Sequence, residues 1–343
     1  STIDDGGCHI YTELGYMNSK NNDLTLLNRS EMSNNGKKLI GDSIVWNSVD
    51  SIGEAFGNVV YTDVLNKNAM TGNYCYYDDK TGYSLGTDSA CILDFSQGPD
   101  TMYMHADSIK MYTFDIKTDS VYRTMHAFHR VRMYRKDMQG VCDSLFYTTK
   151  DSMMIMYKDP IVWTGSQQLL GEEIQAFMND STIDSIYVIR QTLSCERMES
   201  LHYNQVAGHE MHSYMENGEL KMTHVIGNVI VNYFPLDEDS LMVAMNHMES
   251  TEMKMFMGEN RKIRKIWMPA ATGTFYPIPM IPAGVRFLEN FQWFDYVRPT
   301  SPQDIFVWRG KAKGSELKKS VQRKVPLQKL NSKNKKHGIV QDS

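Results

Sequence analysis

The chain has 343 residues, with 36 Lys and Arg against 41 Asp and Glu, and 41% of its residues are hydrophobic. That is enough for a core, yet no run approaches the ~18 consecutive apolar residues of a membrane-spanning helix; the greasiest stretch, Phe275 to Val285, is broken by Pro277, Pro279 and Pro282. Charge is unevenly spread: eleven Lys or Arg face one Glu between Arg309 and His337, whereas the residues before Arg309 hold 25 bases and 39 acids, an acidic body that argues against nucleic acid as a partner.

The sequence opens Ser1-Thr2-Ile3, with neither an initiator Met nor a signal peptide, and reads as a mature or truncated piece. From Glu13 to Arg29 the pattern predicts a strand pair (Tyr11, Leu14 and Tyr16, then Leu24 and Leu26). A first unit without a cap would leave a sheet edge open to another chain. Beyond it a corner recurs as Gly41-Asp42, Gly72-Asn73, Ala106-Asp107, Cys142-Asp143, Gly171-Glu172 and Gly208-His209, in steps of 29 to 37 residues. Three residues past each corner stands Ile44, Cys75, Ile109, Leu145, Ile174 or Met211. A second ladder runs Val59, Ile92, Val131, Ile161, Leu193, Val229. Two interleaved ladders mean two strands per unit, and a lone unit cannot bury its apolar face, so units must stack. A sharp bend asks for a small residue, and Gly also reaches positive φ. The neighbouring Asp or Asn bonds local backbone donors. This acid ladder reads as corner chemistry, because a row of unpaired inward carboxylates would be too costly to bury.

Past Tyr233 the repetition loosens. Residues 1–233 are read as stacked two-strand β repeats and 234–310 as terminal repeats plus a Pro- and aromatic-rich closing segment. That segment is expected to cap the last unit irregularly, ahead of a basic, disordered tail at 311–343. Five well-separated cysteines without a CxxC pair argue against a zinc site and read as small buried residues. His209-Glu210-Met211-His212 is not HExxH, since Ser213 stands where the second His belongs, and on a strand its two histidines point to opposite faces. No Gly-rich phosphate loop or nucleophile elbow is present. Methionine, at 25 residues, is abundant; it suits adaptable apolar surfaces, or replaces Leu in a core. The basic tail suits a membrane surface or a solvated terminus.

The segments GEAFGNVVYTD (Gly53 to Asp63), MTGNYCYY (Met70 to Tyr77), MHADSIKMY (Met104 to Tyr112), VCDSLFY (Val141 to Tyr147) and QQLLGEEI (Gln167 to Ile174) carry a resemblance. So do FLENFQWFDYVRP (Phe287 to Pro299) and DIFVWRGK (Asp304 to Lys311). Together they resemble OstA-like proteins of the Bacteroidetes type, relatives of the lipopolysaccharide-transport protein LptA and of the periplasmic domain of LptD. The resemblance implies an all-β, elongated open jellyroll (a β-taco) of stacked two-strand repeats in the periplasm. It implies no catalysis and no cofactor. The partners implied are lipopolysaccharide or another acylated lipid, other Lpt-type proteins joined by edge-strand pairing, and further copies of the chain. The groove lining implied is Ile44, Trp46, Val59, Tyr61, Ile109, Met111, Val131, Met133, Leu145, Tyr147, Ile161, Trp163, Ile174, Val229 and Val231. Asp at Ile109 or Val131 is expected to abolish lipid contact in a protein that stays folded. Two rivals make different demands. A polysaccharide-cleaving solenoid needs two carboxylates about 5 to 9.5 Å apart in a cleft, and a self-assembling scaffold needs sheets packed about 10 Å apart along their whole length.

Overall fold

The computed structural model describes residues 2–317, except 6–7, 97–98, 117, 180–181, 200, 238, 240 and 259–262. Among them twenty-three strands join in one antiparallel sheet. The first are β1 (Thr2–Asp5), β2 (Cys8–Tyr11), β3 (Leu14–Asn18), β4 (Asp23–Asn34), β5 (Lys37–Asn47), β6 (Ile52–Asp63), β7 (Asn68–Asp78) and β8 (Tyr83–Thr87). Next come β9 (Cys91–Asp94), β10 (Met102–His105), β11 (Ser108–Phe114), β12 (Tyr122–Arg135), β13 (Met138–Thr148), β14 (Met153–Tyr157), β15 (Ile161–Thr164) and β16 (Gln167–Leu170). The last are β17 (Glu173–Met178), β18 (Ile183–Arg197), β19 (Tyr203–Glu216), β20 (Glu219–Tyr233), β21 (Ala244–Met257), β22 (Ile263–Trp267) and β23 (Thr272–Pro277). The stacked strand pairs expected from period-two alternation are present, in the elongated, jellyroll-like arrangement that the resemblance implies, and the array passes Tyr233 without a break because β20 pairs with β21.

The sheet folds over along a crest. There two consecutive residues take left-handed backbone: Asn28 and Arg29, Gly57 and Asn58, Asp88 and Ser89, His129 and Arg130, Lys158 and Asp159, Arg190 and Gln191, Gly227 and Asn228. On the facing strand one residue opposes each pair; His129 and Arg130, for example, stand against Asp143 between the partners Phe128–Ser144 and Val131–Cys142. Such a two-against-one bulge bends a strand and sharpens its twist. The opposing residues are those of the corner ladder. Asp42 accepts from Arg29 Nη1 at 3.1 Å and Asn58 Nδ2 at 2.8 Å; Glu172 accepts from Arg190 Nε at 2.9 Å and Gln191 Nε2 at 2.7 Å. Burial pushes the Asp143 carboxyl up, but bonds from Lys158, His129 and Ser144 outweigh it and hold the group below its ordinary value. These bonds offset the ~1 kcal/mol that a non-glycine residue costs in left-handed backbone.

The expected role of the small corner residues needs correcting. Gly41, Gly72, Gly171 and Gly208 do not have positive φ. They are small because the next strand is close: a Cβ on Gly72 would lie 3.0 Å from the Thr87 carbonyl oxygen. The left-handed backbone falls on the strand opposite.

Bending at the crest makes two wings. In one, half-strands pair in the order β3, β4, β5, β6, β7, β8, β11, β12, β13, β14, β17, β18, β19, β20, β21, β22. The other runs from β1 through β2, β4 to β7, β9, β10, β12, β13, β15, β16 and β18 to β21, ending at β23. Hairpin turns form the two free margins.

The closing segment is irregular, as expected, and it begins on the last unit, where Ile281 packs with Phe234 and Met245, but it does not end there. It runs back across the outer face of the second wing, held by side-chain amides in neighbouring register. Asn232 Nδ2 donates to the Val285 carbonyl at 2.8 Å and Gln205 Nε2 to that of Arg286 at 2.9 Å. Leu288 N donates to Gln205 Oε1 at 2.9 Å. Gln168 Nε2 reaches the Gln292 carbonyl and its Oε1 receives Phe294 N, both at 2.8 Å. Arg298 Nε donates to Gln139 Oε1 at 2.7 Å. Val141, Ile161, Trp163, Leu170, Leu193 and Cys195 pack under this strap against Leu288, Phe294 and Val297. Of the predicted tail, Lys311 pairs with Asp159 and lies over the Phe294 ring, while 318–343 lie outside the described residues.

Candidate functional site

The inner faces of the two wings are apolar in rows that run from strand to strand. In the bare wing Ile44, Ala55, Cys75, Gly86, Ile109, Ala127, Leu145, Met156, Ile174, Val188, Met211, Val225 and Met253 follow one another in strict register. The strapped wing answers with Tyr61, Met70, Ile92, Met104, Met133, Gly140, Val162, Leu169, Ser194, Val206, Val231 and Met248. Side chains from both wings share one buried cluster, which includes Ile109, Leu145 and Met156 from one and Met104, Met133 and Val231 from the other. At about 4.8 Å per strand, these rows extend on the order of 55 Å.

Burial falls away from the crest over part of the sheet; in the row of Met125 and Met154, Ala176, Ser213 and Thr223 stay buried. Ile109 and Val131, beside the crest, are 0% exposed, whereas Met125, Tyr147, Met154 and Ile186, one step further out on the bare wing, are half-buried. Several half-buried side chains packed on the main cluster are methionines: Met102, Met125, Met138, Met154, Met248, Met255 and Met268. Further out still, the strapped wing turns polar at Lys37, Asp63, Asn68 and Asp94, which are paired in register. The cross-section is therefore a sealed apolar crease, a partly open methionine layer and a polar lip. Burial raises the Tyr61 and Tyr147 phenols above their ordinary values, so both remain neutral donors on these walls.

Thirteen of the fifteen residues assigned to the groove from the sequence lie on the inner faces, and the structure divides them by depth. Ile44, Val59, Ile109, Val131, Met133, Leu145, Ile174, Val229 and Val231 are buried, and Trp46, Tyr61, Met111 and Tyr147 are partly buried. Ile161 and Trp163 are not on these faces at all: they lie beneath the strap on the outer side of their wing. The reason is a shift of one residue. Val59, Val131 and Val229 directly follow the left-handed pair, but Pro160 takes that place after Lys158 and Asp159. Ile161 is thus one position late, and a slip of one turns a strand residue to the opposite face; Leu193 is displaced in the same way and Val162 is the inward residue. Sequence reasoning also missed Met104, Met156, Val188, Val225 and Met253, whose signal was the methionine abundance and the plain alternation around them. It missed the strap's amides too, since a lone Gln on a strand looks like surface.

No described helix is long and apolar enough to cross a membrane. Among the described residues no group of three or more His, Cys, Asp or Glu could hold a metal ion. No protein-family model matches the chain, and neither does any curated protein.

Proposed function

We propose that the chain is a non-enzymatic carrier whose folded sheet cradles the acyl chains of a lipid, in the manner of the OstA-like, lipopolysaccharide-transporting proteins that its motifs resemble. The observation that carries this reading is the half-buried methionine layer between a sealed crease and a polar lip. A sandwich with a solid core would bury that layer completely; here unbranched, polarizable side chains lie partly in contact with water, and burying them against an acyl chain is favourable. Each CH₂ taken from water contributes roughly 0.8 kcal/mol, so a chain of a dozen or more carbons is held without any directed bond. The continuity of the rows lets the lipid slide without returning to water. On this reading the protein works in the periplasm. The exposed edge strand β3, paired only with β4 among the described residues, and the strands β22 and β23 at the far end would meet other Lpt-type proteins or further copies. The test is mass spectrometry of lipid extracted from natively purified protein. Stoichiometric acylated lipid is expected. A lipid-free preparation that also fails to take up a fluorescent fatty acid rejects the reading.

A further inference from the structure

The strap ends over a cavity of about 330 Å³ on the outer face of its wing, the side of the sheet opposite the methionine layer. Arg132 is part of its lining, and its side chain is 0% exposed. Among the described residues none of its three guanidinium nitrogens has a hydrogen-bond partner. Its nearest carboxylate, Asp304, stands 3.7 Å from Nη2. That carboxylate already accepts from Thr300 N at 2.9 Å, Thr300 Oγ1 at 3.2 Å and Arg309 Nη1 at 2.8 Å, as well as from Arg309 Nη2. Three of these four bonds fall on Oδ2, the oxygen that faces Arg132, so that oxygen offers charge but no free lone pair. Burial lowers the Arg132 pKa, but a guanidinium does not shed its proton in a protein. A buried, permanent cation with unused donors is costly unless something fills the cavity beside it.

The rest of the wall favours one kind of guest. Arg130 Nε bonds both oxygens of Asp107 at 2.9 Å, so these two charges cancel. His105 Nδ1 donates to the Ala90 carbonyl at 2.8 Å, and burial keeps the ring neutral, which leaves Nε2 as an acceptor. Ser89 adds a hydroxyl and Asp88 a carboxylate. Phe306 and Trp308, 45% and 43% exposed, supply flat apolar faces at the rim. An unanswered guanidinium calls for an oxyanion, the neighbouring acceptors call for hydroxyls, and the rings call for a flat body.

We infer that this cavity binds a small sugar carrying one carboxylate or phosphate, its anionic group on Arg132 and its ring against Phe306 and Trp308. The site is on the outer surface and does not depend on lipid in the trough, so it stands or falls separately from the carrier reading. Calorimetric titration of the full chain with glucuronate, glucose 6-phosphate, glucose and inorganic phosphate tests it, the two anionic sugars telling a carboxylate source from a phosphate source. At least one anionic sugar is expected to bind and glucose is not. Arg132→Met should weaken that binding at least about tenfold. Trp308→Ala, at an exposed position that spares the fold, should weaken it as well, and it carries the test if the Arg132 variant loses its circular dichroism. Silence with both sugars, meaning that water alone fills the cavity, overturns the proposal. So does binding that neither variant alters, or an affinity for inorganic phosphate equal to that for glucose 6-phosphate.

Discussion

Replacing Gln168 with Met should release the strap from its wing. Gln168 is fully buried, and Met keeps its length while removing its polar atoms. Three bonds go: Nε2 to the Gln292 carbonyl and Phe294 N to Oε1, each 2.8 Å, and Trp163 Nε1 to Oε1 at 3.3 Å. They leave two backbone groups and an indole N–H without partners in an apolar cluster, at ~1–3 kcal/mol each. Against this stands ~1 kcal/mol gained by burying a thioether in place of an amide. The net cost is roughly 2–8 kcal/mol, and it is felt locally, because Gln205 and Asn232 still hold the start of the strap. Global denaturation is a poor readout in a stacked array whose units are only coupled to their neighbours. Amide hydrogen exchange is a good one. Exchange across Phe291 to Val297 should accelerate by at least about 25-fold, at roughly 1.4 kcal/mol per decade, with β3 to β7 unchanged. Gln167→Met, one residue away at an exposed position and bonded only to Ser194 Oγ at 3.0 Å, should alter exchange less than about threefold. Equal effects of the two substitutions would refute the amide row as the strap's fastening.

Asp at the half-buried Met125 or Met154 should abolish uptake of a fluorescent fatty acid and leave the circular dichroism intact, whereas Asp at the fully buried Ile109 or Val131 should unfold the middle of the sheet at a cost of several kcal/mol. The sequence-based expectation that the latter pair would stay folded therefore reverses; native spectra for Ile109→Asp would restore it. Bonds from Arg309 pull the Asp304 carboxyl down to about 2 from 3.8. Because the folded value lies below the unfolded one, its stabilisation is complete above about pH 4 and is lost as the pH falls towards 2. Protection of the Thr300 amide should follow that curve and be flat in Asp304→Asn; a midpoint near pH 6 would contradict it. Burial pushes the Cys75 and Cys91 thiols up to about 12 and those of Cys142 and Cys195 higher still. In a Cys8→Ser background, a thiol reagent at pH 8 should label none of the four until denaturant is added, and labelling of the native protein within minutes would show the burial to be wrong.

The corner ladder was legible because most of its rungs repeat one physical demand: a neighbouring strand passes too closely for a large side chain, and the acid beside it, at Asp42, Asp107, Asp143 and Glu172, receives donors from the left-handed pairs. Local chemistry repeated at matched spacing leaves a trace in sequence. Facing was less legible. Pro160 delays the next apolar residue by one position, and nothing in Ile161-Val162-Trp163 itself says which of three apolar neighbours turns inward. The strap could not be read at all. Its bonds join Gln168 to Gln292 and Phe294, more than 120 residues away, and a glutamine carries no mark of the backbone it will hold. Arg132 was hidden for the same reason: alternation marks it as outward, hence solvated, and only the returning segment buries it.

The strap also acts as a gauge. Its carbonyls and amides meet Asn232, Gln205 and Gln168, and its Arg298 guanidinium meets Gln139, at intervals set by the strands lying between them, so a hairpin added or deleted between β13 and β20 would misalign every fastening after the change. Upstream of β10 no such crosspiece exists among the described residues. Lengthening or shortening of this molecule by whole units is therefore mechanically free at its beginning and forbidden in its second half.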